Sequence, residues 1–280
     1  MQAAKKFISD QLSPIYPKEE IAGITKLIFE KVLKLSGIQY HLQKDDVISA
    51  ANLAEIKDIV NQLVQFKPIQ YILGEAHFFG LTFAVNKSVL IPRSETEELV
   101  DWIIKDYAEL APKILDIGTG SGCIPISILT QLPEASAEAW DISEQALVVA
   151  NQNAFKHQIK INFQHIDLFN APQQPAIYDV IVSNPPYVTD SEKDLMHQNV
   201  LDHEPHTALF VPDNDPLFFY AKIAELGLTS LKPNGHLYLE INEQFGSQTL
   251  ELLSSKGYVN LVLKKDLNGK DRMVKAQRAI

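Results

Sequence analysis

The sequence predicts an α/β protein: a Rossmann-like, seven-stranded, mostly parallel sheet with a small all-helical domain in front of it. Three observations carry that reading. From Lys113 onward, short apolar strand-like runs alternate with helical segments. A glycine-rich turn, 118–122, follows the first of those strands and opens an apolar helix. Before residue 75, apolar residues recur at helical spacing.

Taken in order, Ile21, Ile24, Leu27, Ile28, Val32 and Leu35 mark one helix, closed by Gly37. Ile56, Ile59, Val60, Leu63 and Val64 mark another, giving a helical domain over 1–75. Residues 76–91, with His77, Phe78, Phe79, Leu81, Phe83 and Val85 around Gly80, read as a β-hairpin linker. The α/β domain then occupies 92–280. Ser94-Glu95-Thr96-Glu97 has capping-box spacing before a helix over 95–109, and helix N-terminal charge accounts for its acids. Strands follow at 113–117, 137–141, 160–165 and 178–182, with Ser143 capping a helix over 144–155. Residues 188–215 read as a loop, 217–231 as a helix and 232–235 as a turn. Strand 236–241, helix 244–255 and strands 258–264 and 272–277 complete the domain. Asn268-Gly269 is a hairpin signal, which makes one strand antiparallel.

With 280 residues, 46% of them apolar, the chain can bury a sizeable core. It has no apolar run of about 18 residues and no leader-like N-terminus, so a cytoplasmic protein without a membrane span is expected. Its one cysteine, Cys123, excludes an internal disulfide and reads as a small buried helix residue. Residues 1–85 hold nine basic and nine acidic residues, whereas 86–280 hold 16 and 26. All of the net charge of −10 therefore lies on the α/β half, and a nucleic-acid footprint, which needs basic residues, is missing. His203 and His206 have no supporting ligand cluster, so no metal is expected.

The chemistry gathers at strand ends, where open α/β sheets place their sites. The strand 178–182 runs through Ser183 into Asn184-Pro185-Pro186-Tyr187. Two prolines stop a central strand and hold Asn184 extended. Asn184 offers a carbonyl and an NH2, Pro185 a carbonyl, and Tyr187 a flat face, a set suited to a planar N–H2 group. Upstream, Gly118, Gly120 and Gly122 form a G-x-G-x-G turn opened by Asp116, with Cys123 where a dinucleotide fingerprint needs its third glycine. Asp141 ends the next strand about 20 residues on, the place from which a carboxylate holds ribose hydroxyls. Asp167 and the Leu168 backbone are placed to read an adenine edge. Plainer readings exist for each: a Pro-Pro strand stop, a tight turn, a loop carboxylate. Their recurrence at successive strand ends favours the functional one.

The glycine loop with its preceding acid resembles the S-adenosylmethionine loop of class I methyltransferases. The whole chain resembles the HemK/PrmC protein-(glutamine-N5) methyltransferases. The matching segments are Ile91-Pro-Arg-Ser-Glu-Thr-Glu97, Asp116-Ile-Gly-Thr-Gly-Ser-Gly122, Asp141-Ile-Ser143, Asp167-Leu-Phe169, Asn184-Pro-Pro-Tyr187, Glu204-Pro205 with Ala208-Leu209, Leu239-Glu240 with Gln244, and 266–272. The resemblance implies a class I S-adenosylmethionine-dependent fold and methylation of the glutamine of a Gly-Gly-Gln motif in peptide chain release factors, with S-adenosylhomocysteine as product. It implies cofactor contacts from Asp116, Gly118, Thr119, Gly120, Ser121, Gly122, Asp141, Ile142, Asp167, Leu168 and Asn184. Asn184, Pro185 and Tyr187 would be catalytic, and Arg93, Glu95 and Pro186 would join them in holding substrate. Residues 1–75 would help dock the release factor, and a monomer without direct nucleic-acid binding is expected. Ser94 and Asn242 depart from the family pattern at positions where proline and glycine are common. The rival readings are a DNA or RNA amino-methyltransferase, which shares Asn-Pro-Pro-Tyr, a non-enzymatic binding module on this fold, and, more remotely, a nicotinamide dehydrogenase.

Overall fold

The computed structural model describes residues 1–35, 47–172 and 175–280, and these form two compact units, 1–74 with 197–203 and 75–196 with 204–280. Gly37, read as the end of a helix, lies outside the described residues.

In the first unit, helices α1 (Gln2–Leu12), α2 (Lys18–Leu33), α3 (Ala50–Val64) and α4 (Ile69–Leu73) share one apolar core. Ile8 and Leu12, then Ile21, Ile24, Ile28 and Val32, then Ile56, Val60 and Leu63 are buried there, spaced three or four residues apart within their helices so that each helix turns one stripe inward. Ser49 caps α3 by accepting the Asn52 N–H at 3.1 Å. The short α8 (Gln198–His203) belongs to this unit, and its His203 Nε2 meets the Gln65 carbonyl at 3.3 Å. From the sequence those residues were expected in a loop of the α/β domain. Six residues cannot show a helical stripe, so no local pattern marks them.

The second unit opens with the hairpin β1 (Glu75–Phe78) and β2 (Leu81–Ala84), tighter than the expected 76–91. Its turn needs positive φ at Phe79 and Gly80. Helix α5 spans Ser94–Asp106. The sheet contains β3 (Lys113–Ile117), β4 (Ser136–Asp141), β5 (Asn162–His165), β6 (Tyr178–Ser183), β9 (Leu231–Glu240), β10 (Tyr258–Lys265) and β11 (Asp271–Arg278). Its order is β10-β11-β9-β6-β3-β4-β5, and β11 is antiparallel to both neighbours. Helices α6 (Cys123–Gln131), α7 (Glu144–Lys156), α9 (Phe218–Ser230) and α10 (Gly246–Ser255) connect the strands. One apolar cluster joins α5, α6 and the hairpin to the sheet, and a second joins α9 and α10 to it. The central strands are apolar on both faces because both are covered.

Two segments differ from expectation. The turn at 232–235 is instead an irregular start to β9, with a register shift against β6 between Tyr178 and Val180. The supposed loop 188–215 carries a parallel pair, β7 (Val188–Thr189) with β8 (Phe210–Val211), and 3₁₀ turns at Asp190–Leu195 and His206–Ala208. Two-residue strands are too short to display any periodicity.

Candidate active site

Four of the parallel strands each deliver one wall of a cavity of about 400 Å³ at the C-terminal edge of the sheet. After β3 come Gly118–Ser121, after β4 Asp141–Ser143, after β5 Ile166–Phe169, and after β6 Ser183–Pro186. Arg93 and Thr96 close another side, with Pro205, Thr207, Ala208 and Phe210.

The glycine loop is held from below. The Trp140 carbonyl accepts both Gly118 N–H and Thr119 N–H at 2.9 Å, and Thr119 accepts Gly122 N–H. Gly118, Gly120 and Gly122 all have positive φ, a region that only glycine enters cheaply. At Gly122 a side chain would also meet Ile126 at 3.1 Å and Ala150 at 3.3 Å. Gly122→Ala is therefore expected to lower stability by about 1–3 kcal/mol, read as a fall in the thermal midpoint. Asn153, fully buried, donates to the Ser121 and Ala84 carbonyls at 2.9 and 3.0 Å and accepts Ala84 N–H at 2.7 Å, which ties the loop to α7 and β2.

Asp141 lines the cavity with one carboxylate oxygen on Gly120 N–H and the other on Ser143 N–H, both at 2.8 Å. Burial raises its pKa, against the pull of those two N–H groups. Asp167 accepts Phe169 N–H at 3.0 Å and the Asn170 amide at 2.7 Å. Phe169 is stacked on Phe218 at 4.4 Å, which stiffens that wall. Ile142, 60% exposed, stands at the mouth, and Leu168 is buried.

Asp116 does not reach the cavity. It is fully buried beneath the loop, and neither carboxylate oxygen has a hydrogen-bond partner among the described residues. The hydroxyls of Thr119 and Ser121, which do line the cavity, are likewise unpartnered. Burial pushes Asp116 up to about 7, helped by the charge of Asp141. Unmatched buried acceptors beside positive-φ glycines fit a cationic ligand lying on the loop. Cys123 is also on the wall, and burial pushes its thiol up to about 12, so it is no nucleophile near neutral pH.

On the opposite side, Asn184 Nδ2 donates to Thr96 Oγ1 at 3.1 Å. Thr96 donates to Glu240 Oε2 at 2.6 Å, and the Tyr187 hydroxyl donates to Glu240 Oε1 at 3.1 Å. Glu240 is 1% exposed. Burial raises its pKa while Thr96, Tyr187 and Arg272 pull it down, and burial first, then Glu240, raises that of Tyr187. Asn184, Pro185 and Pro186 line the cavity, but the half-buried Tyr187 ring packs on the core beside α9, so its flat face is not part of the wall. Arg93 lines it and pairs with the buried Glu204 at 2.7 Å. Glu95 does not, and accepts the Ser94 hydroxyl at 2.9 Å. His203 and His206 fall in different units, and among the described residues no group of three His, Cys, Asp or Glu side chains is placed to hold a metal.

Sequence reasoning gave Thr96 and Glu240 no role in the site. Thr96 looked like part of a helix start. Glu240 carried a usable signal, since a lone carboxylate in the run Leu237-Tyr-Leu-Glu-Ile241 must be paired or expelled.

Residues 96–208 match the family described as methyltransferase small domain, and residues 4–74 the one described as PrmC N-terminal domain. A protein of Bacteroides thetaiotaomicron named release factor glutamine methyltransferase is 46% identical over 279 residues, 99% of this chain and 100% of the relative. A protein of the same name from Flavobacterium psychrophilum is 47% identical over 94% of each chain. A solved methyltransferase of Pyrococcus furiosus shares the fold, with a TM-score of 0.53 at 16% identity over 80% of this chain and 100% of that one.

Proposed function

The chain belongs to the release factor glutamine methyltransferases, and we propose that it transfers a methyl group from S-adenosylmethionine to the side-chain amide nitrogen of the glutamine in a release factor Gly-Gly-Gln motif. The observation that carries this is the commitment of the Asn184 NH2 inward to Thr96. What Asn184 and Pro185 then offer the cavity is a pair of carbonyl acceptors, which suits a primary amide and not a carboxylate.

An amide nitrogen is a poor nucleophile because its lone pair is delocalised into the carbonyl. Accepting both N–H bonds at Asn184 Oδ1 and the Pro185 carbonyl holds the nitrogen in place and favours the pyramidal form that exposes the lone pair. Neither acceptor is basic enough to strip a proton beforehand, so the nitrogen would give up its surplus proton to water once the methyl is attached. Positioning therefore supplies most of the rate. S-adenosylmethionine, when bound, supplies the electrophilic methyl on its sulfonium and leaves as S-adenosylhomocysteine. Gly118 and Gly120 would let it approach the backbone, Asp141 would take ribose hydroxyls, and Asp167 with the Leu168 backbone would take the adenine edge. Thr119 and Ser121 would lie against its cationic end, and the charge of Asp116 would act on it from beneath the loop.

Asp116 gives the cofactor site a pH dependence with a definite sign. A carboxyl whose folded pKa lies above its unfolded value of about 3.9 loses stability as pH rises from about 4 through 7. A cationic ligand favours the ionised form, so cofactor affinity should rise with pH through that range. Calorimetry is expected to show roughly tenfold tighter binding at pH 7.5 than at pH 6, and a flat profile in Asp116→Asn.

The helical residues 1–75 would dock the release factor, with the α/β domain acting as a cytoplasmic monomer. No helix among the described residues is long and apolar enough to cross a membrane. The test is transfer of labelled methyl to a purified release factor and to its Gly-Gly-Gln glutamine→alanine variant. Label on both proteins would exclude this target, and label on neither would move the search to other amides or exocyclic amines.

A further inference from the structure

We propose that Thr96 and Glu240 are positioning residues that set the polarity of the Asn184 amide, so that its oxygen and not its nitrogen faces the substrate. The proposal deepens the reading of the site given above and rests on it.

Asn184 follows β6, Thr96 lies in the first turn of α5, and Glu240 is the last residue of β9, so three separate elements meet at one point. An asparagine side chain is nearly symmetric in shape, and turning it over exchanges C=O for NH2 at almost no steric cost. Pro185 and Pro186 fix the backbone but not that choice. The hydroxyl of Thr96 decides it only if its own proton is committed elsewhere. Glu240 supplies the commitment, because Thr96 gives its proton to Oε2 at 2.6 Å and can then only accept from Asn184. Oε1 is occupied by the Tyr187 hydroxyl at 3.1 Å. Glu240 thus takes two O–H donors and is 1% exposed, with Thr96 2% exposed, so water does not offer a substitute. Burial raises the pKa of Glu240, and the two hydroxyl donors together with the guanidinium of Arg272, itself held by Asp266 at 3.1 Å, work against it. Tyr187 belongs to the same device: its hydroxyl saturates Glu240 from behind the wall. Asn242 steadies this end by donating to the Tyr187 carbonyl at 3.0 Å. With the polarity reversed, an NH2 would face the substrate NH2, donor against donor, and the clamp would reject the group it is built to hold.

The experiment has two independent readouts on the full chain. In 15N-labelled enzyme without substrate, the Asn184 side-chain amide signals, identified by their loss in Asn184→Ala, are expected to exchange with water at least tenfold more slowly than those of exposed asparagines. That protection should vanish in Thr96→Val. In turnover with the release factor, Thr96→Val is expected to lower kcat about 100-fold with KM and cofactor affinity within twofold, and Thr96→Ser to recover most of the loss. Glu240→Gln, whose NH2 can donate to Thr96 and reverse the chain, should cost a similar factor, and the Thr96→Val/Glu240→Gln double variant no more than either alone. Unchanged cofactor affinity shows that the variants fold. An unprotected Asn184 amide, a Thr96→Val kcat within threefold of wild type, or a Thr96→Ser as impaired as Thr96→Val would overturn the proposal. A protected amide in an enzyme that labels no release factor would leave the polarity device standing and remove the substrate assignment.

Discussion

Asn184→Ala is expected to lower kcat for release factor methylation by about 1,000-fold while leaving cofactor affinity within a few-fold of wild type. The side chain supplies one of only two acceptors that would hold the target nitrogen, and loss of one preorganised polar contact at a reacting centre costs about 10²–10³ in rate. Alanine also frees Thr96 from its partner, but Thr96 keeps Glu240, so the buried carboxylate stays satisfied and the fold should hold. Single-turnover methyl transfer beside calorimetry of cofactor binding separates the two effects. A matched fall in both would mean that Asn184 acts in cofactor binding rather than on the amide.

The second large effect is expected at Asp141. Its two oxygens accept from Gly120 and Ser143, so the carboxylate is the shared anchor of the glycine loop and of the α7 N-terminus. Asp141→Asn keeps the shape but turns an acceptor into an NH2 that must face one of those two N–H groups. That removes one charge-assisted hydrogen bond and leaves a half-buried donor opposed by another donor. Cofactor affinity should fall about 100-fold, with kcat at saturating cofactor changed much less. Titration of the cofactor by calorimetry reads the first quantity, and initial rates at high cofactor read the second. A variant with normal affinity would show that Asp141 serves the loop's backbone alone.

What could be read from the sequence was what the backbone forces locally. Positive-φ glycines after an apolar strand, two prolines ending another, and acids at successive strand ends each leave a mark within ten residues, and the cavity brings those segments together. The seven-stranded, mostly parallel sheet with one antiparallel strand also followed, because strands alternating with helices pair in parallel and Asn268-Gly269 signals the one reversal, whereas the order of the strands is visible only in the structure. The chain Asn184–Thr96–Glu240 was invisible for the opposite reason: its members are 88 and 144 residues apart and meet only after the sheet has formed. The sequence reads Tyr187 as a flat stacking face, but an aromatic side chain next to prolines carries no sign of which way it turns. Here burial and the pull of Glu240 turn it inward. Residues 188–215 were read as a loop because the strands, turns and helix within them are two to six residues long, below the length at which any period can be seen.

The late antiparallel strand has a consequence for biosynthesis. β11 sits between β9 and β10, with Met273 opposite Glu240 and Val274 opposite Leu239. A chain emerging from the ribosome completes β3, β4, β5, β6 and β9 before any of β11 exists, so β9 waits with one row of backbone groups unpaired along an apolar run. Such an edge is a template for association with other chains. A chain cut short anywhere between residues 241 and 270 would therefore be prone to clump rather than be a partly active enzyme.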